Sequence, residues 1–231
     1  MLRIARPPSR RTLAVILDEQ YMSKKIFFIL TIIIASYKSD GQNTLQPDTR
    51  NNKTGIIEVT CDSIYKDKNY KLKLIQLGKD DDDNYNFILI ALKNNNGKEI
   101  EFFRDTIESR TQEIKFVDFN NDNIKDILVQ NISDVRSNLT YYLYLVDPIH
   151  DKLKRIKGFE EIKNPNYLPK YNIIDNIVMS GNDWTSFYKI QGDTIKDFGI
   201  LIYDYHNESG TYKRDYNTAI KTILKIEKNN R

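Results

Sequence analysis

The chain has 231 residues, with 35 Lys and Arg against 32 Asp and Glu, two His and a single Cys. Its aromatic side chains are mostly Tyr, Ile and Asn are abundant, and Gly and Pro are sparse. That mixture favours strands, because β-branched and aromatic residues suit a pleated, half-buried surface. One cysteine excludes an intramolecular disulfide, and the slight basic surplus is too local to imply nucleic-acid binding, as the N-terminus shows.

Lys24 and Lys25 precede a ten-residue run from Ile26 to Ala35 that is apolar except for Thr31. Ten residues suit the core of a signal peptide and fall short of the roughly 20 that a membrane span needs. Ser39 and Gly41 stand at the −3 and −1 positions for cleavage before Gln42. The alternative is a buried core segment. Residues 22–41 are thus expected to be a signal peptide starting at Met22. Residues 1–21, with Pro7-Pro8 and four arginines, then read as upstream sequence or an extended basic leader. Residues 1–41 hold seven Lys/Arg and three Asp/Glu, so the remainder carries 28 basic against 29 acidic groups, a net charge of −1. A nucleic-acid partner loses its basis there. The expectation is an exported bacterial protein, periplasmic or extracellular.

Residues 42–54 read as a polar tether and 55–231 as a single β-rich domain. Short apolar or alternating runs follow at 55–61, 71–78, 85–93, 99–104, 113–118, 125–130, 139–147, 171–179, 184–191, 195–203 and 219–227. Asn94-Asn95-Asn96-Gly97 and Gly192-Asp193 have the chemistry of hairpin bends. No long stretch presents a clear helical apolar face. The expected fold class is all-β and antiparallel: a sandwich, or an irregular barrel or propeller-like sheet. Cys61, at the end of an alternating run, reads as a small buried thiol. Asp80 to Asp83 reads as a solvated turn, with cation attraction the alternative.

The sharpest local pattern is Asp118-Phe119-Asn120-Asn121-Asp122-Asn123-Ile124-Lys125-Asp126. Oxygen-bearing side chains recur at loop positions 1, 3, 5 and 9, on Asp118, Asn120, Asp122 and Asp126, and the Ile124 carbonyl falls at position 7. Calcium takes six to eight oxygens, and a tight loop converges alternate side chains plus one carbonyl. Three carboxylates and one amide suit a divalent cation. Asn123 stands where an EF-hand has Gly, and Val129 where it has its bidentate Glu. The alternative is an Asp/Asn-rich turn without an ion. Neither His150 nor His206 lies at metal-ligand spacing from another His or from Cys61. No phosphate loop, nucleophile elbow or histidine-based triad occurs, so no enzyme is expected. The Asn-X-Ser/Thr triplets at Asn52, Asn131, Asn138 and Asn207 read as chance in so Asn-rich a chain.

The loop resembles the short calcium loops of FG-GAP and related propeller repeats. From Ile114 to Tyr203 the order of features is also similar to a family of bacterial periplasmic calcium-binding proteins. That family includes immunity proteins against peptidoglycan hydrolases and relatives of lysozyme inhibitors. The features are this loop, Tyr141 to Pro148, Ile162 to Tyr167, and Ser186 to Ile190 with its Gly192-Asp193 turn. The resemblance implies an antiparallel β fold stapled by Ca²⁺ and a lysozyme-like peptidoglycan hydrolase as partner. Ser180-Gly181-Asn182-Asp183-Trp184 is similar to the Ser-Gly-x-x-Tyr loop of lysozyme inhibitors, which makes Ser180, Gly181 and Trp184 the expected partner-binding residues. The alternative makes this an ordinary turn with Trp184 in the core. At the level of function, the rival is an adhesive or surface calcium module with an FG-GAP-like unit, and the minor reading a glycan-active enzyme using distant carboxylates.

Overall fold

A computed structural model describes residues 55–65, 69–79, 85–134, 136–204 and 211–229. Residues 1–54, Asp80 to Asp83 and His206 lie outside the described residues, and with them the expected leader, tether and acidic turn. Among the described residues the fold is mostly β, as the composition implied, built from three antiparallel sheets with no closed barrel.

Each sheet is a four-stranded meander drawn from one continuous stretch of chain. The first contains β1 (Ile56–Thr60), β2 (Tyr70–Lys79), β3 (Tyr85–Asn95) and β4 (Lys98–Ser109) in that order. The second contains β5 (Ile114–Val117), β6 (Asp126–Ser133), β7 (Leu139–Asp147) and β8 (Lys152–Arg155). The third runs β9 (Pro165–Leu168), β10 (Ile173–Asn176), β11 (Asp183–Gln191) and β12 (Thr194–Asp204), with β9 and β12 at its edges. Asn95 pairs with Lys98 across Asn96-Gly97, both left-handed, which is the conformation a tight two-residue hairpin requires. Gln191 pairs with Thr194 across Gly192-Asp193.

Side-chain alternation sets how the sheets stack. Leu72, Leu74, Phe87 and Leu89 of the first sheet meet Phe116, Ile127, Val129 and Tyr144 from one face of the second. The opposite face of the second sheet, with Leu128, Tyr141 and Leu143, packs on Phe119, Ile156, Phe159 and Ile162 and on Ile174 of the third. The second sheet is therefore covered on both sides, which explains why Asp126 to Asn131 is buried without interruption. A 3-10 turn, Phe159–Glu161, seats Phe159 within this second cluster.

The last element departs from expectation. The run at 219–227 is not a strand but the second half of α1 (Thr211–Asn229). Tyr212, Tyr216, Ala219, Ile220 and Ile223 form one stripe at helical spacing and pack on Ile173, Phe187 and Ile202 of the third sheet. Glu227 of α1 pairs with Lys189 and with Lys196, the latter at 2.7 Å. The short strands β8 and β9 were also not expected. The run at 171–179 contributes β10 only over Ile173–Asn176, with Val178 making an isolated bridge to Trp184. Among the described residues no helix is long and apolar enough to cross a membrane.

Candidate functional site

The Asp118 to Asp126 segment joins β5 to β6, the first two strands of the middle meander. Its backbone is folded around its own side chains. Asp118 Oδ1 accepts from the amides of Asn120 (3.1 Å) and Asn121 (2.6 Å), and Oδ2 accepts from Asn123 (2.9 Å). The Asn120 Oδ1 atom accepts from the Asp122 amide (3.0 Å), and Asp122 Oδ1 from the Ile124 amide (2.7 Å). Asn120 Nδ2 donates to Asp122 Oδ2 at 2.8 Å. Asn121 and Asn123 adopt φ of 63° and 66°, a left-handed geometry that Asn tolerates better than most residues, so Asn123 meets the conformational need that Gly meets elsewhere.

Asp126 is set apart from these three. It is fully buried, and its two oxygens accept from the amides of Phe119 (2.9 Å) and Val146 (3.1 Å). It therefore latches the loop onto the start of β6 and the end of β7. Burial, opposed by those two amides and reinforced by the charges of Asp122 and Asp118, pushes its carboxyl up to about 7. Phe119 anchors the loop from below, edge-on to Phe159 at 5.2 Å and tilted against Tyr167 at 5.7 Å. The side chain of Ile124 packs instead against the cluster between the first two sheets.

The donor chemistry of Asp118, Asn120, Asp122, Asp126 and the Ile124 carbonyl fits a hard divalent cation: all oxygen, with a summed carboxylate charge above that of the ion. The structure brings Asp118, Asn120 and Asp122 into mutual hydrogen-bonded contact and commits Asp126 to backbone amides. Among the described residues no three His, Cys, Asp or Glu side chains form a ready-made metal cluster. An open cleft of about 560 Å³ borders the loop at Asn123 and Lys125, with Tyr65 and Tyr70 on its other side. Those two rings stack at 3.7 Å.

The Ser180 to Trp184 segment is a tight turn entering β11. The Val178 amide donates to the Trp184 carbonyl (2.8 Å) and the Trp184 amide to the Val178 carbonyl (3.1 Å). Ser180 Oγ donates to the Asn182 carbonyl at 2.6 Å, and the Ser180 amide donates to Asp183 Oδ1 at 3.1 Å. Gly181 is exposed, at φ +91°, with no atom within 4 Å of where a Cβ would sit. Trp184 is half-buried, pairs across the strands with the exposed Tyr203, and belongs to none of the three buried clusters.

Two residues that sequence reasoning passed over hold this turn. Asn138, just before β7, and Asn164, before β9, bond through their amide side chains to the backbone that leads into it, at Met179 and Ile177 respectively. Asn138 had drawn notice only as a chance Asn-X-Ser/Thr triplet. His150 is exposed and bonds Asp147 at 2.6 Å, which helps hold the Asp147 carboxyl below its usual value. Cys61 is 2% exposed, and burial, with Asp62 adding to it, pushes its thiol up to about 12, so it is an inert core group.

Fold and site together define a stack of three antiparallel meanders closed by a helix, with an Asp/Asn loop on the middle meander and a clamped turn on the third. No family model, curated protein or solved structure matches the chain.

Proposed function

We propose that this chain is an exported, calcium-binding β domain that binds and blocks a lysozyme-like peptidoglycan hydrolase, as an inhibitor or an immunity protein. The observation that carries the reading is the Ser180 to Trp184 turn, ordered by internal hydrogen bonds yet open at Gly181. Clefts of such hydrolases present two carboxyl groups about 5–10 Å apart. The glycine backbone can enter such a cleft closely, and the half-buried Trp184 beside Tyr203 supplies the aromatic surface that often dominates binding energy. Ser180 is a weaker donor candidate than its sequence position suggested, because its hydroxyl is already committed to Asn182. Calcium held by Asp118, Asn120, Asp122, Asp126 and the Ile124 carbonyl would act as a staple for the β5–β6 connection.

A second reading, an adhesive or surface calcium module, draws support from the arrangement of the chain. Three successive four-stranded meanders, one with an Asp/Asn loop between its first two strands, parallel the organisation of propeller blades.

Inhibition assays separate the two readings. The purified protein should slow peptidoglycan hydrolysis by a lysozyme-like enzyme, Gly181→Arg should abolish that effect, and Trp184→Ala should weaken it. Because Gly181 is left-handed, the arginine variant should also lose about 1–2 kcal/mol, or roughly 2–8 °C in Tm. A parent protein that slows no such hydrolase leaves the adhesive reading ahead.

A further inference from the structure

We propose that Asn138 and Asn164 are positioning residues that hold Ile177 to Asp183 as a preordered binding loop; the binding role rests on the reading above, whereas the ordering does not.

The hydrogen bonds account for every backbone group from the Ile177 carbonyl to the Ser180 amide. The Ile177 carbonyl accepts from Asn164 Nδ2 at 2.9 Å. The amide and carbonyl of Val178 pair with Trp184. The Met179 amide donates to Asn138 Oδ1 (2.8 Å), and its carbonyl accepts from Asn138 Nδ2 (2.9 Å). The Ser180 amide closes onto Asp183. Asn138 thus presents its side-chain amide to Met179 as a neighbouring strand would present a peptide group. An extended ladder continues where no strand exists.

The two asparagines are themselves fixed. Asn138 is 2% exposed; its Oδ1 also accepts from Asn164 Nδ2 (3.0 Å), and its Nδ2 also donates to Asp134 Oδ2 (2.8 Å). Both donors and both acceptor sites of the amide are therefore used. Asn164 Oδ1 accepts from the Leu139 amide (2.8 Å) and its own amide donates to the Leu139 carbonyl (2.7 Å). Lys163 pairs with Asp134 at 2.9 Å. Ser137 (φ 61°) is left-handed, a conformation that residues other than Gly and Asn keep mainly where surrounding bonds hold it, and Asn164 (φ 48°) shares it with the ease Asn has there.

The clamp residues lie just before β7 of the middle sheet and just before β9 of the third, but they act on a segment in which Ile177 and Met179 are 57% and 39% exposed. Such an arrangement contributes little core and much order. A loop held in one conformation loses less freedom on binding, so its partner binds more tightly for the same contacts.

Amide hydrogen exchange on the full chain tests the ordering, with Asn138→Ala and Asn164→Ala as variants. In both, the Val178, Met179 and Ser180 amides should exchange about tenfold faster or more, while Val129 and Leu143 in the middle sheet keep their protection. Affinity for a hydrolase that the parent inhibits should fall about tenfold in both, whereas Leu153→Ala, a core truncation between the first two sheets, lowers Tm without changing affinity. Unchanged exchange in Asn164→Ala, or exchange that rises equally throughout the middle sheet, overturns the clamp. Faster loop exchange with unchanged affinity overturns the positioning role. If the parent inhibits no hydrolase the functional reading falls, and exchange alone then decides the clamp.

Discussion

Removing the side chain of Asp118 separates two roles that the loop assigns to it. In the structure its carboxylate accepts from three backbone amides, those of Asn120, Asn121 and Asn123, independent of any ion. Side-chain acceptors of this kind, at partly exposed sites where water can replace them, contribute about 0.5–2 kcal/mol in all. Asp118→Ala should therefore lower stability in chelator by about 1 kcal/mol, or roughly 2–4 °C in Tm for a chain of this size. Calcium adds a second increment, about 2.7 kcal/mol at a hundredfold excess over its dissociation constant, hence some 5–11 °C in the parent. That increment should vanish in Asp118→Ala and in Asp122→Ala, and magnesium should substitute poorly because it demands a tighter octahedral shell. Thermal melts in chelator, calcium and magnesium measure all three quantities. A calcium-dependent rise in both variants as large as the parent's would refute the argument and leave the loop an Asp/Asn turn.

Other outcomes follow from the packing. Phe159 is fully buried against Phe119, so Phe159→Ala should cost about 3–5 kcal/mol in chemical denaturation and weaken any calcium response through the lost loop anchor. Arg155 bonds Asp105 (3.0 Å) and Glu160 (2.9 Å) while lying over the Tyr142 ring, so Arg155→Lys should destabilise by about 1–2 kcal/mol rather than behave conservatively. Burial raises the Asp175 carboxyl above its usual value, against hydrogen bonds from Tyr216 and Asn166 that lower it. A raised folded-state value makes its contribution fullest below about pH 3.9 and diminishes it as pH climbs through the folded value. Asp175→Asn should thus gain on the parent in urea midpoint as pH rises above about 4; a relative gain toward acid would contradict this.

Strand positions were legible where apolar alternation met good turn chemistry. The run Leu139 to Asp147 matches β7 end for end, and the Asn96-Gly97 bend closes the hairpin that its residue types demand. The misses have physical causes. In α1 two of the inward positions are Tyr212 and Tyr216, whose hydroxyls reach Thr185 and Asp175, so the stripe reads as polar until the sheet beneath it is known. Lys152 to Arg155 offers a single buried residue, Leu153, too little for a strand signal. At the Asp118 loop the spacing of oxygens was readable, but the commitment of Asp126 to Phe119 and Val146 depends on a strand 20 residues on. Asn138 is one asparagine among many, and only its tertiary position distinguishes it.

The meanders also bear on how the chain reaches this state. Within the three sheets no paired residues lie further apart along the chain than Tyr85 and Ser109, 24 positions. Closing such short loops costs little chain entropy, and local pairing of this kind speeds folding relative to interleaved β topologies. Each meander can zip up from its own hairpins as soon as its segment is free, before the next has emerged. The inter-sheet faces then meet as preformed surfaces, first against second and second against third. The helix that follows β12 packs its stripe on the third sheet through contacts with Ile173, Phe187 and Ile202, which need that sheet to be formed.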